Sequence, residues 1–125
     1  MKTTAALGLI LVSLVSHAET PQQILKMYAP TGNAVRGEAV FRQKNTVNEK
    51  MPSCTSCHTE NPINPGHHAI TGKIIQPMAV AVNPERFTDS AKVEKWFGRN
   101  CKEVLGRACT PNEKADLIAY LSEVR

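Results

Sequence analysis

Cys54, Cys57 and His58 fall within one five-residue run, Cys54-Thr55-Ser56-Cys57-His58, and carry the most specific chemistry in the sequence. Two thiols at this spacing can bond the two vinyl groups of a haem, and the imidazole that follows can ligate the iron from one face. C-x-x-C-H is the attachment pattern of haem c. The neighbouring Met51, Pro52 and Thr55 are apolar or small and offer nothing that competes for the metal. A thioredoxin-like C-x-x-C needs a βαβ setting, and no strand-rich run flanks these cysteines. Structural zinc needs four ligands, and only three stand close together here. A plain Cys54–Cys57 disulfide would leave His58 without a purpose. The motif does not say what holds the other face of the iron, and that choice decides the function.

The expected compartment agrees with the motif. Lys2, an apolar run over residues 5–15 and the small-x-small site Ser16-His17-Ala18 read as a secretory signal over residues 1–18. The apolar run is too short to span a membrane. Residues 19–125 are therefore expected to form one monomeric, periplasmic domain, not embedded in a membrane, where disulfides persist. Removing the signal takes away one lysine and no acid, so the formal charge of +4 falls by one. Charges of both signs are interspersed and no basic run occurs, which does not support nucleic-acid binding. A domain this short buries a thin core, of which a bound macrocycle would be part.

The elements that must position these residues read as all-α. Residues 21–27 suggest a short helix with Ile24 and Leu25 inward, broken at Thr31-Gly32. Residues 33–44 suggest a second, with Val35, Ala39 and Val40 or Phe41 inward. Prolines 62, 65, 77 and 84, with Gly66 and Gly72, forbid a long helix between the motif and residue 83. Thr88 or Asp89 caps a third helix whose apolar face is Val93, Trp96 and Phe97, and Gly98 reads as its stop. Thr110-Pro111-Asn112-Glu113 is a capping box with proline at the first helical position. The helix it opens should run to about Val124, burying Leu117, Ile118, Leu121 and one side of Tyr120. About four helices and no convincing strand result. Gly37-x-x-x-Phe41 and Leu117-x-x-Tyr120 resemble the crossing helix pair of class I cytochromes c, so a class I-like fold around one haem is the expectation.

Several residues after the signal could face the iron opposite His58. Met27 sits on an amphipathic helix and reads as core filler. Met51 is too near Cys54 to reach across the ring. Met78, in Gln76-Pro77-Met78-Ala79, has the look of an axial loop, on a short path from His58. His67 and His68 are within reach but follow turn-forming residues and read as solvated loop histidines.

A further candidate comes from a resemblance. Trp96-Phe97-Gly98-Arg99-Asn100-Cys101, Gly106-Arg107-Ala108-Cys109-Thr110-Pro111 and Glu113-Lys114-Ala115-Asp116-Leu117 resemble the sphaeroides haem protein family, small oxygen-binding monohaem cytochromes c. The likeness extends over nearly all of residues 19–125 and is densest from Arg86-Phe87-Thr88-Asp89-Ser90 to Leu121. It departs around residues 61–69, which leaves His67 and His68 unassigned. The resemblance implies His58 and Asn100 as the axial pair, a Cys101–Cys109 disulfide, O2, CO or NO as the small ligand, and a dihaem cytochrome c as electron donor. Trp96, Arg99 and Lys73 are candidates to hydrogen-bond the haem propionates. With Gly98 ending its helix, Asn100 would point inward from a turn.

Three functions remain in play. One is a ligand-binding cytochrome using His58 and Asn100, and another is a plain electron carrier using His58 and Met78. The third is an oxidase-like or peroxidase-like enzyme, for which no acid–base pair is evident apart from His67 and His68.

Overall fold

The computed structural model describes residues 10–14 and 17–125. Most of the expected signal segment, residues 1–9 and 15–16, lies outside the described residues. Among the described residues no helix is long and apolar enough to cross a membrane.

The chain folds as helices α1 (Pro21–Tyr28), α2 (Ala34–Arg42), the single turn α3 (Thr55–His58), α4 (Ser90–Leu105) and α5 (Pro111–Glu123). Local signals fix their starts. Thr20 and Gln23 form a capping box on α1, Asn33 caps α2 by accepting from the Arg36 N–H, and Asp89 caps α4 through the Lys92 N–H. Thr110 and Glu113 close the expected box on α5. Such caps satisfy main-chain N–H groups that the first helical turn leaves unpaired. One feature has no counterpart in the sequence pattern: strands β1 (Gly66–His67) and β2 (Ile74–Ile75) pair antiparallel, Gly66 opposite Ile75.

The core lies where α1 and α2 pack on α5. Ile24, Leu25, Phe41, Ala115, Leu117, Ile118, Tyr120 and Leu121 are buried together. Gly37 makes the α2–α5 crossing close: a Cβ there would overlap the Asp116 main-chain oxygen and touch the Tyr120 Cβ. One turn on, the Phe41 ring lies 5.6 Å from that of Tyr120. Asp116, buried at the same crossing, accepts from the Asn33 N–H at 2.6 Å and pairs with Arg36 at 2.8 Å.

The structure corrects several expectations. Gly98 does not stop α4, which continues to Leu105 and ends at Gly106 in the left-handed conformation (φ 72°). Asn100 therefore projects from a helix and not from a turn. Helix α2 ends at Arg42, short of Lys44, and Val35 is 78% exposed, with Ala39 exposed too. Both stand two residues from Gly37, about 200° round the helix, on the side away from α5. Met27 is 64% exposed and fills no core. Trp96, expected on an inward apolar face, keeps 43% of its surface exposed.

Candidate haem site

Beside this core lies a cavity of about 1500 Å³, larger than the 300–1000 Å³ or so that usually holds a small organic ligand. Every residue singled out from the sequence for cofactor or metal contact borders it: Cys54, Cys57, His58, Lys73, Trp96, Arg99 and Asn100. Met51, His68 and Met78 border it as well, whereas His67 and Met27 do not. A smaller depression of about 500 Å³, bounded by Val35, Glu38, Arg42 and Tyr120 among others, is bordered by none of these groups.

One wall is the motif itself. The N–H groups of Cys57 and His58 both donate to the Cys54 carbonyl, at 3.3 and 3.1 Å, winding the motif into one turn. That turn brings the two thiols to the same cavity with the imidazole beside them. Cys54 and Cys57 are free thiols. Burial, with the neighbouring Cys57, pushes the Cys54 thiol up to about 11. Burial first, and the Arg86 cation second, bring His58 down to about 4. His58 is thus neutral at ordinary pH, the form in which an imidazole ligates a metal. Its ring lies 6.2 Å from Phe41, so the α2–α5 crossing that places Phe41 also backs His58. Gly66 packs so closely on the motif that a Cβ would overlap the Cys57 carbonyl oxygen, and the Ala69 N–H lies 3.3 Å from the Cys57 sulfur.

The Met78 loop is held to the segment that follows the motif. The N–H groups of Met78 and Ala79 both donate to the Pro62 carbonyl at 3.0 Å. Asn83 and Arg86 donate to the Pro77 carbonyl at 3.0 and 2.9 Å, and Arg86 reaches the Gln76 carbonyl at 2.7 Å. His68 is half-buried, and its Nδ1 accepts from the N–H groups of Ile70 and Thr71 at 3.2 Å. It is a fixed part of the turn between β1 and β2, unlike the solvated loop side chain that the sequence suggested.

Helix α4 lines the same cavity with Trp96, Phe97 and Asn100. Asn100 is half-buried. The next residue, Cys101, is bonded to Cys109 (Cα–Cα 5.5 Å), directly before the Thr110 cap of α5. Arg99 lies over the Trp96 ring at 5.4 Å. Both are exposed, as is Lys73, so these three stand at the rim of the cavity. Arg86, which sequence reasoning did not assign, stands half-buried in the wall. The one signal for it was that the densest stretch of family resemblance begins there.

The donor set fits a covalently held haem: two thiols and a neutral imidazole from the motif, an amide on α4 and a half-buried arginine all border one large cavity. Among the described residues no group of three or more His, Cys, Asp or Glu side chains could hold a metal ion by itself.

Comparison with known proteins agrees with the geometry. Residues 28–121 match a family described as a domain of unknown function, DUF1924. The chain is 48% identical over 109 residues to the cytochrome c-type protein SHP of Cereibacter sphaeroides, covering 82% of this chain and 83% of that protein. The structure of oxidized SHP, an oxygen-binding cytochrome c, superposes with a TM-score of 0.79 at 45% identity, over 84% of this chain and 97% of that one. The solution structure of Methylophilus methylotrophus cytochrome c'', which addresses haem-ligand detachment, gives a TM-score of 0.65 at 38% identity, over 81% and 90% of the two chains.

Proposed function

The chain belongs to the sphaeroides haem protein (SHP) family of c-type cytochromes, with one covalently attached haem c, and from that premise we infer that His58 and Asn100 are its axial residues. The bound haem supplies an iron that alternates between ferric and ferrous and can accept a ligand on each face. Cys54 and Cys57 would anchor it through thioether bonds and His58 would hold its iron, with the amide oxygen of Asn100 as the second, weaker holder.

An amide oxygen is a hard, weak donor that suits ferric iron better than the softer ferrous ion. Asn100 would accordingly be the weaker of the two holders once the iron is reduced, and its release would open the cavity that it borders to O2, CO or NO. The observation that supports this reading is that Asn100, carried on α4, borders the same cavity as Cys54, Cys57 and His58. The Met78 main chain, by contrast, is tied to Pro62, four residues beyond His58. Support also comes from the relatives, one an oxygen-binding cytochrome and another studied for haem-ligand detachment. Export to the periplasm and electron delivery by a dihaem cytochrome c complete the proposal.

An absorption spectrum of the reduced protein with and without CO tests it. The expected result is a large Soret change at stoichiometric CO. A reduced spectrum indifferent to CO favours the alternative, an electron carrier with Met78 on the iron.

A further inference from the structure

Arg86 is a cation in the cavity wall without a carboxylate to balance it. Its Nε and Nη2 donate to the Pro77 and Gln76 carbonyls at 2.9 and 2.7 Å. A guanidinium has five N–H donors, so these two contacts fix its plane and leave its remaining donors free. Other cations on α2, α5 and the loop before α5 have carboxylate partners: Arg36 with Asp116, Arg42 with Glu38, Arg107 with Glu113 and Lys114 with Glu94. Among the described residues no carboxylate lies within ion-pair distance of Arg86. Its burial disfavours the charged form, and an unbalanced cation removed from water is costly. The other cations bordering the cavity, Lys73, Lys92 and Arg99, are exposed and lose little hydration. Arg86 borders the same cavity as Cys54, Cys57 and His58.

We propose that Arg86 receives a carboxylate of the cofactor inside this cavity and, as a fixed cation near the iron, favours the ferrous state. The proposal rests on the haem c reading of the cavity. The two backbone carbonyls hold the guanidinium so that its free edge meets the carboxylate as a planar fork. A cation near the iron stabilises the form with less positive charge, which is the reduced one. It also keeps the carboxylate ionised through the redox cycle, so that reduction does not draw a proton onto it.

The test is the midpoint potential of the holoprotein, wild type, R86Q and R86K, measured spectroelectrochemically from pH 5 to 8. R86Q should lower the reduction equilibrium constant about tenfold, roughly 59 mV for one electron. Its potential should also gain a pH dependence in the carboxylate range that wild type lacks. R86K retains the charge and should stay within about threefold of wild type. An unchanged potential in R86Q overturns the proposal, and equal shifts in R86Q and R86K assign the residue to holding the Gln76–Pro77 loop instead. If R86Q does not accumulate as holoprotein, resonance Raman of R86K decides. The carboxylate bending mode must shift when the fork becomes a single ammonium, and an unmoved mode overturns the proposal. Covalent haem, assayed separately as the pyridine haemochromogen, tells a failure of this inference from a failure of the haem c reading.

Discussion

Helices α2 and α4 bound the same cavity but are held in opposite ways. Helix α2 lies directly against α5, with Gly37 on the Asp116 main chain, Arg36 on the Asp116 carboxylate and Phe41 on Tyr120. Nothing there can shift without breaking main-chain contact. Helix α4 touches the buried cluster at Val93 and Phe97, buries Cys101 and Val104 further along, and is for the rest tethered. The Ser90 N–H donates to Glu19 at 2.6 Å, Tyr28 Oη and Lys114 Nζ donate to Glu94 at 2.6 and 2.8 Å, and Cys101 is bonded to Cys109. The packed half backs His58, the ligand proposed to stay. The tethered half carries Asn100, the ligand proposed to leave. Close packing has few intermediate arrangements, whereas polar tethers and one covalent bond permit a small excursion about fixed ends.

The comparison can be broken most severely at the crossing. Gly37→Val would force the α2 and α5 backbones apart, and overpacking of this kind costs about 3 kcal/mol or more. Urea denaturation of the holoprotein reads it. A loss below about 1 kcal/mol would mean that the crossing is not the rigid half. On the α4 side, replacing Cys101 and Cys109 by serine should cost about 2.6 kcal/mol on chain-entropy grounds for a loop of this length. Stopped-flow CO binding to the ferrous variant adds a second readout. Faster binding shows that the bond limits the withdrawal of Asn100, and equal rates assign it to stability alone.

Asp116→Asn should cost about 2 kcal/mol, the scale of a charged hydrogen bond. Burial alone would raise the Asp116 carboxyl, but the Arg36 guanidinium and the Asn33 N–H outweigh it and hold it below its usual value. Its stabilisation is therefore complete above the unfolded carboxylate pKa and is lost as pH falls through the depressed folded value. Melting curves of wild type and Asp116→Asn should converge on acidification. Curves that stay parallel down to pH 2 would remove this ion pair from the account of the crossing.

The two halves also differed in how far the sequence revealed them. Cys54, Cys57 and His58 stand out as one cluster because haem attachment needs fixed residues at fixed spacing, and all three border the cavity. The α5 start was legible because a capping box is local. The pairing of Gly37 and Phe41 with Tyr120 followed from helical spacing once a cytochrome-like crossing was in view. What escaped depended on tertiary context. Gly98 looked like a helix stop, yet a glycine inside a helix costs only about 1 kcal/mol. The Asp89 cap and the burial of Cys101 and Val104 one turn further on outweigh that. Val35 and Ala39 were misplaced because apolar residues at near-helical spacing do not by themselves identify the inward face. Arg86 was missed because its value lies in what surrounds it: two carbonyls of a distant loop and no acid.

The central claim, that Asn100 holds ferric iron and releases it on reduction, is tested most directly by magnetic circular dichroism of wild type and Asn100→Ala in both redox states. Wild type should be six-coordinate without a methionine signature when ferric, and five-coordinate and high-spin when ferrous. Asn100→Ala should alter the ferric spectrum and leave the ferrous one nearly unchanged. A six-coordinate, low-spin ferrous wild type bearing a methionine signature would contradict the account and return the iron to Met78.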